Sequence, residues 1–193
     1  MTHFCDIRVI KNPEISFNHV LTSVFGSLHL VLAQKGYRDV GISFPLFNDK
    51  VLGNCLRLHG LETRLQELLS LLSNPFWNGI RDYINLSSLE RAPENTKYRQ
   101  VFRVQSKNNV ERLRRRLIAR KGVTQEEAKK KIPDSVEKRL DLPYLNLSSK
   151  SSGQNFRLFI RHGPLLEKNK HGLFNSYGLS IGGLCPLVLT LFQ

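Results

Sequence analysis

The chain has 193 residues, 40% of them hydrophobic, enough for one domain of ordinary size or two small ones, each with its own core. It carries 29 Lys and Arg against 16 Asp and Glu, a formal charge of +13, and such a surplus calls for a polyanionic partner. Cys5, Cys55 and Cys185 are odd in number, far apart and without a C-x-x-C pairing, which suggests neither a disulfide framework nor a zinc site, and the apolar tail Leu184 to Phe192, broken by Pro186, is too short to span a bilayer.

Charge is unevenly spread. Up to Glu94 there are 9 basic and 9 acidic residues; from Asn95 onward there are 20 and 7, so the second part carries the whole surplus. Residues Met1 to Ile10 lack a basic segment followed by an apolar run, so a cytoplasmic protein, unsecreted and unprocessed, with no membrane contact is expected.

In chain order, Phe4 to Ile10 alternates apolar and polar residues and predicts a strand, ended by Asn12-Pro13. A helix is predicted from Ser16 to Lys35, stopped by Gly36, with Leu21, Val24, Phe25, Leu28 and Leu32 as its buried stripe. Val40 to Phe44 and Leu56 to His59 predict strands, and Leu61 to Leu72 a second helix with Leu61, Leu65, Leu68, Leu69 and Leu72 inward. A further strand is expected over Tyr83 to Leu89. Strand, helix, two strands, helix, strand is the order of a ferredoxin-like unit, placed at residues 1–94. The segment Ala92-Pro93-Glu94-Asn95-Thr96 reads as a linker to a smaller domain at residues 95–193, giving an α+β class overall.

In that second part, Tyr98 to Gln105 predicts a strand and Val110 to Lys121 a helix ended by Gly122. Thr124 and Glu127 have capping-box spacing and open a short helix that stops before Pro133. Pro143 to Ser149, Asn155 to Arg161 and Leu173 to Leu179 read as late strands.

Glu111 to Lys121 holds five arginines within nine residues. At about 100° per residue, Val110, Leu113, Leu117 and Ile118 share one side, while Arg112, Arg115 and Arg116 cluster opposite with Arg120 beside them. Guanidinium groups form planar two-pronged bonds to phosphate oxygens and guanine edges, so nucleic acid is the reading preferred over a solvated charged face. Arg103 and Gln105, two apart on a strand, point to one side, where both can read base edges. Phe156, among Asn155, Arg157 and Arg161, either stacks on a base pair or belongs to the core. His29 stands about 80° from the centre of its helix's buried stripe, at the border where an imidazole is half-shielded; it is either structural or catalytic. His59 ends a strand, and His162 and His171 lie near turns. Neither H-E-x-x-H nor another metal spacing occurs, and no G-x-x-x-x-G-K-[ST] loop or G-x-S-x-G elbow, so no metal and no cofactor are expected.

Several stretches together resemble one family. Gly41-Ile42-Ser43-Phe44-Pro45, Tyr98-Arg99-Gln100-Val101, Arg103-Val104-Gln105, Glu111-Arg112-Leu113-Arg114-Arg115-Arg116-Leu117, Gly153-Gln154-Asn155-Phe156-Arg157-Leu158-Phe159-Ile160-Arg161 and Tyr177-Gly178-Leu179-Ser180 are similar, in order, to the type I-F CRISPR repeat-processing endoribonucleases. The resemblance implies a ferredoxin-like N-terminal domain and an arginine helix docked in the major groove of a short RNA hairpin. It also implies metal-independent cleavage of CRISPR repeat RNA at the 3′ base of that stem-loop, giving a 2′,3′-cyclic phosphate and a 5′-hydroxyl. The protein would stay on the mature guide RNA, joined to other type I-F effector subunits, and be a monomer when free. His29 matches the catalytic histidine, Tyr177 the tyrosine that orders the site and Ser149 the serine that holds the ribose, with Ser151 in the same serine-rich loop as second choice for an RNA contact. Arg103 and Gln105 match the readers of the lowest pair and adjoining nucleotides, Phe156 the aromatic under the terminal pair, and Ala119 stands where the family carries a basic residue. A non-catalytic hairpin-holding subunit of a CRISPR effector complex, or a basic ribosome- or DNA-associated protein, are the competing expectations.

Overall fold

The computed structural model of the chain describes residues 1–72, 79–94, 96–105, 110–136, 140–149, 153–168 and 172–187. They group into two compact units, one of Met1–Arg103 with Leu142–Gln193 and the other of Val104–Asp141. Ser151 and His171 lie outside the described residues.

In the larger unit, β1 (His3–Val9) leads to α1 (Phe17–Lys35). The helix starts at Ser16, whose hydroxyl accepts from the His19 amide, and ends at Gly36, where φ is 67°, a left-handed conformation open to glycine at little cost. Seven apolar residues of α1 are buried, Val20, Leu21, Val24, Phe25, Leu28, Val31 and Leu32, each contributing roughly 1.5–3 kcal/mol relative to exposure. Then come β2 (Gly41–Ser43), β3 (Cys55–Gly60), α2 (Glu62–Leu72), β4 (Ile84–Leu86) and β5 (Glu90–Arg91). The first sheet runs β2-β3-β1-β4 with every pair antiparallel, the ferredoxin-like order, and β5 pairs with the start of β1. Asp6 and Arg57 face each other across β1 and β3, bonded at 2.5 and 2.8 Å, both buried, with the guanidinium 4.4 Å from the Phe4 ring centre.

A second sheet is built from β6 (Lys97–Val104), β7 (Tyr144–Ser148), β8 (Asn155–Leu166) and β9 (Cys185–Leu187), in the order β7-β8-β6-β9. Its Val101, Leu145, Leu147, Leu158 and Ile160 join one apolar core with the α1 stripe and with Ile7, Ile42, Leu56 and Leu58 of the first sheet. The packing therefore does not follow the 1–94 and 95–193 division: the second sheet shares its core with the first, and the unit that packs by itself is Val104–Asp141. That smaller unit holds α3 (Val110–Lys121) and α4 (Gln125–Lys131). Thr124 and Glu127 make the expected reciprocal capping box at the start of α4.

Three expectations are corrected, and one strand, β9, stands where none was expected. Leu173 to Leu179 is a turn rather than a strand, closed by one bridge between Phe174 and Ser180. The segment Tyr83 to Leu89 is divided between a helical turn, Arg81–Tyr83, and the short β4. Leu61 is 53% exposed because the second helix begins only at Glu62. And β9 carries Pro186 at the outer edge of its sheet, where a missing amide disturbs no ladder. All three cysteines are buried free thiols, and burial pushes Cys5 to about 11 and Cys55 to about 12, well above a reactive range.

Candidate active site and nucleic-acid interface

Position 29 lies on the last half of α1, one residue beyond buried Leu28. From there His29 reaches a cavity of about 370 Å³ that it shares with Gly26 and Leu30 of the same helix, Leu147 and Ser148 of β7, and Ser149, Phe156 and Tyr177. Thus four of the expected site residues, from α1, the β7 end, β8 and the turn after Phe174, meet at one opening. The β7–β8 hairpin sets two of them. Phe156 pairs with Leu147, and Ser149 is pinned where the loop closes, its amide donating to the Gln154 carbonyl at 2.9 Å and its carbonyl accepting from the Gly153 amide at 2.7 Å.

His29 is held on two sides. Its Nδ1 lies 2.9 Å from the Ser176 carbonyl oxygen, and its ring stacks on Tyr177 with centroids 3.9 Å apart and planes within 9°. A carbonyl only accepts, so Nδ1 carries the hydrogen, and in the neutral ring Nε2 is left with the lone pair. Tyr177 stacks in turn over Phe25 of α1 at 6.1 Å. The turn bearing both is fixed by Asn175, whose Oδ1 accepts from the amides of Tyr177 and Leu179 at 2.9 and 3.1 Å. At Gly178 φ is 67°, and an added Cβ would stand 2.6 Å from Ile42 Cγ1, so only glycine fits against β2.

Arg103, near the end of β6, carries its guanidinium 5.7 Å from the Phe156 ring centre and 5.9 Å from that of Tyr177. A cation therefore attends the two rings that line the cavity. Gln105, expected beside Arg103 on the strand, lies one residue past the end of β6 and is exposed. Phe156 is partly buried against the core while still lining the cavity.

In the smaller unit the arginines divide. Arg112, Arg115, Arg116 and Arg120 are exposed, whereas Arg114 is buried. Its guanidinium donates to the Ile132 carbonyl at 2.9 and 2.7 Å, to Asp134 at 2.8 Å and to Glu111 at 3.2 Å, stitching α3 to the end of α4. The helix therefore presents four arginines outward and spends the fifth on structure.

This combination, an imidazole bordering a cavity and a helix with four exposed arginines, belongs to a chain that one family profile covers nearly throughout: "CRISPR-associated protein (Cas_Csy4)" matches residues 4–187. The chain belongs to the Cas_Csy4 family. It is 45% identical over 188 residues to a CRISPR-associated endonuclease Cas6/Csy4 of Pseudomonas aeruginosa (strain UCBPP-PA14), covering 96% of this chain and 99% of that one. A second CRISPR-associated endonuclease Cas6/Csy4, of Escherichia coli (strain UTI89 / UPEC), is 41% identical over 186 residues, again covering 96% and 99%. Among solved structures, that of the CRISPR endoribonuclease Cse3 bound to a 19-nucleotide RNA is 12% identical, covers 96% of this chain and 99% of that one and has a TM-score of 0.37, too loose a likeness to argue from.

Other histidines of this Cas_Csy4 chain are committed elsewhere. His59 is fully buried, bonded through Nε2 to the Ser43 hydroxyl at 2.7 Å, and burial with Arg57 nearby holds it down at about 3. His162 stacks on Phe47 at 3.5 Å, and burial together with Arg99 pushes it to about 3 as well. His3 lies 3.5 Å from Glu62. Among the described residues no group of three His, Cys, Asp or Glu side chains is arranged to hold a metal ion, and no described helix is long and apolar enough to cross a membrane. Sequence reasoning missed Asn175 and Ser176; the signal was present in Asn175-Ser176-Tyr177-Gly178, whose residue types favour a turn.

Proposed function

We propose that the chain is a metal-independent endoribonuclease that cuts CRISPR repeat RNA at the 3′ base of a stem-loop and remains on the guide RNA it produces. It acts in the cytoplasm, joined to the other subunits of a type I-F effector complex. What supports this most is the Nδ1 contact of His29 with the Ser176 carbonyl at 2.9 Å, which leaves Nε2 as a proton acceptor in a cavity also lined by Ser149 and Phe156.

The RNA brings its own nucleophile, the 2′-hydroxyl next to the scissile phosphate, so the protein supplies geometry, a proton acceptor and exclusion of water. Phe156 packs under the terminal base pair and, with Arg103 and Gln105 reading the nucleotides there, sets the register of the cut. Ser149 holds the ribose so that the 2′-oxygen lies in line with the departing 5′-oxygen; Ser151 is a further RNA contact. Neutral His29 takes the 2′-hydroxyl proton at Nε2, the 2′-oxygen bonds to phosphorus, and the P–O5′ bond breaks. The 5′-oxygen takes up a proton from water, leaving a 2′,3′-cyclic phosphate and a 5′-hydroxyl. Tyr177 keeps the imidazole plane fixed by stacking. Arg112, Arg115, Arg116 and Arg120 grip the stem through its phosphates and base edges. A-form RNA has a narrow major groove, so this grip needs a short stem whose loop end opens the groove.

The test is a repeat hairpin carrying a single 2′-deoxy sugar at the cut. It is expected to bind like the all-ribose hairpin and remain uncut, and chelator is expected to leave cutting of the all-ribose hairpin unchanged. Cutting of the deoxy substrate, or cutting that requires magnesium, would rule out attack by the 2′-hydroxyl as described.

A further inference from the structure

Two residues between Phe174 and Gly178 meet His29: Ser176 offers its carbonyl to Nδ1, and Tyr177 stacks on the ring. The ends of their turn are tied to β2, to β6 and to the segment between α1 and β2. The Phe174 amide donates to the Arg38 carbonyl at 3.0 Å, the Gly178 carbonyl accepts from the Ile42 amide at 2.7 Å, and Ser180 exchanges bonds with Val101 at 2.7 and 3.0 Å. The middle of the turn is held from within. Among the described residues, the hydrogen bond from the Tyr177 amide goes to Asn175 Oδ1, and the same oxygen accepts from Leu179. The Asn175 backbone completes the closure, donating to the Leu179 carbonyl at 2.8 Å and accepting from the Gly178 amide at 2.9 Å.

We propose that Asn175 is a positioning residue for cleavage: its side-chain oxygen holds the turn that presents the Ser176 carbonyl to His29, and so selects the imidazole tautomer able to accept a proton at Nε2. This rests on His29 being the general base. Among the described residues the hydrogen bonds of Asn175 lie within its own turn, two residues from Tyr177, so the role proposed for it is to act through its neighbours. The chemistry needs a side-chain oxygen at the third atom beyond Cα, on Cγ, able to accept from an amide two residues ahead and another four ahead. Asparagine and aspartate provide it; alanine and leucine do not. Without that acceptor, the two amides seek other partners and the turn opens between its anchors. The Ser176 carbonyl then drifts from Nδ1. A neutral imidazole released from that bond also populates the form protonated at Nε2, which cannot take the 2′-hydroxyl proton.

The experiment uses the full chain with a repeat hairpin, measuring the single-turnover cutting rate, hairpin affinity and the nitrogen-15 shifts of the His29 ring. Asn175→Ala is expected to slow cutting by about tenfold or more, as loss of a residue that orients a functional histidine does, with affinity within about twofold and a mixed tautomer at His29. Asn175→Asp is expected to keep both the wild-type rate, within a few-fold, and the Nδ1-protonated form. Wild-type cutting by Asn175→Ala overturns the proposal, as does slow cutting with the His29 tautomer unchanged, which would mark a merely structural role. If the alanine variant fails to fold, the aspartate variant decides: retention of rate and tautomer together supports the role, and loss of both contradicts it. His29→Ala run in parallel separates the two claims, because cutting by that variant would remove the base itself, whereas an inactive His29→Ala beside a fully active Asn175→Ala removes only the role of Asn175.

Discussion

His29 and His59 lie in the same unit but in different surroundings: one borders a cavity and the other is sealed on β3, between β2 and β1. The sealed one makes stability depend on pH. Burial first, then Arg57 and the chain's amino terminus, lower His59 from 6.5 to about 3, so in the folded protein it stays neutral while the unfolded chain takes up a proton near 6.5. The unfolded state thus binds more protons between those values, and stability rises with pH across that window. It is complete above about 6.5 and drains as pH falls toward about 3, with a limiting slope of about 1.4 kcal/mol per pH unit for each such histidine. Urea unfolding between pH 4 and 8 is expected to show this slope, and His59→Gln to reduce it by about one histidine's share; an unchanged slope would refute the assignment. At this scale the sequence was least informative. Periodicity placed His29 at the edge of a stripe but left its role open, and the carbonyl that its ring meets, that of Ser176, is 147 positions away in the chain.

Helices were the most legible elements, since local chemistry sets their ends. Ser16 and Gly36 bound α1, Thr124 with Glu127 opens α4, and the apolar spacing of α1 matched its buried face. Strands were less so. Leu173 to Leu179 has the apolar content of a strand, yet the side-chain oxygen of Asn175 bonds its own neighbours and turns the backbone away from a ladder. β9 escaped notice because a proline marks a strand only when it lies at an edge, which is a property of the sheet and not of the segment. On α3 the helical angle grouped Arg112, Arg115, Arg116 and Arg120 and left Arg114 out, and packing shows what Arg114 does: it is consumed by Ile132, Asp134 and Glu111, while Arg115 and Arg116 remain exposed. Replacing Arg115 or Arg116 by alanine is therefore expected to weaken hairpin binding and lower the slope of log affinity against log salt by about 1, the signature of one lost phosphate contact. A variant with unaltered affinity and slope would show that α3 does not face RNA.

Across the whole molecule, charge and packing divide the chain at different places. The basic surplus begins after Glu94, but β6, β7 and β8 carry apolar residues that complete the core under α1, so the second sheet belongs with the first. Composition reads the solvent-facing side of a segment, and a core shared between sheets leaves no mark in net charge. The order of elements and the α+β class were readable from the residues; the roles of Ser149, Phe156 and Tyr177 came with the family resemblance, and the cavity that His29 shares with them is what makes those roles compatible. The central claim is that one imidazole does the chemistry while the rest of the chain holds the hairpin. It is tested most directly by measuring cutting and hairpin affinity of His29→Ala side by side: the account predicts that cutting is abolished with affinity within about twofold of the parent protein, and a variant that still cuts at the parent rate, or that loses the hairpin along with the cutting, would contradict it.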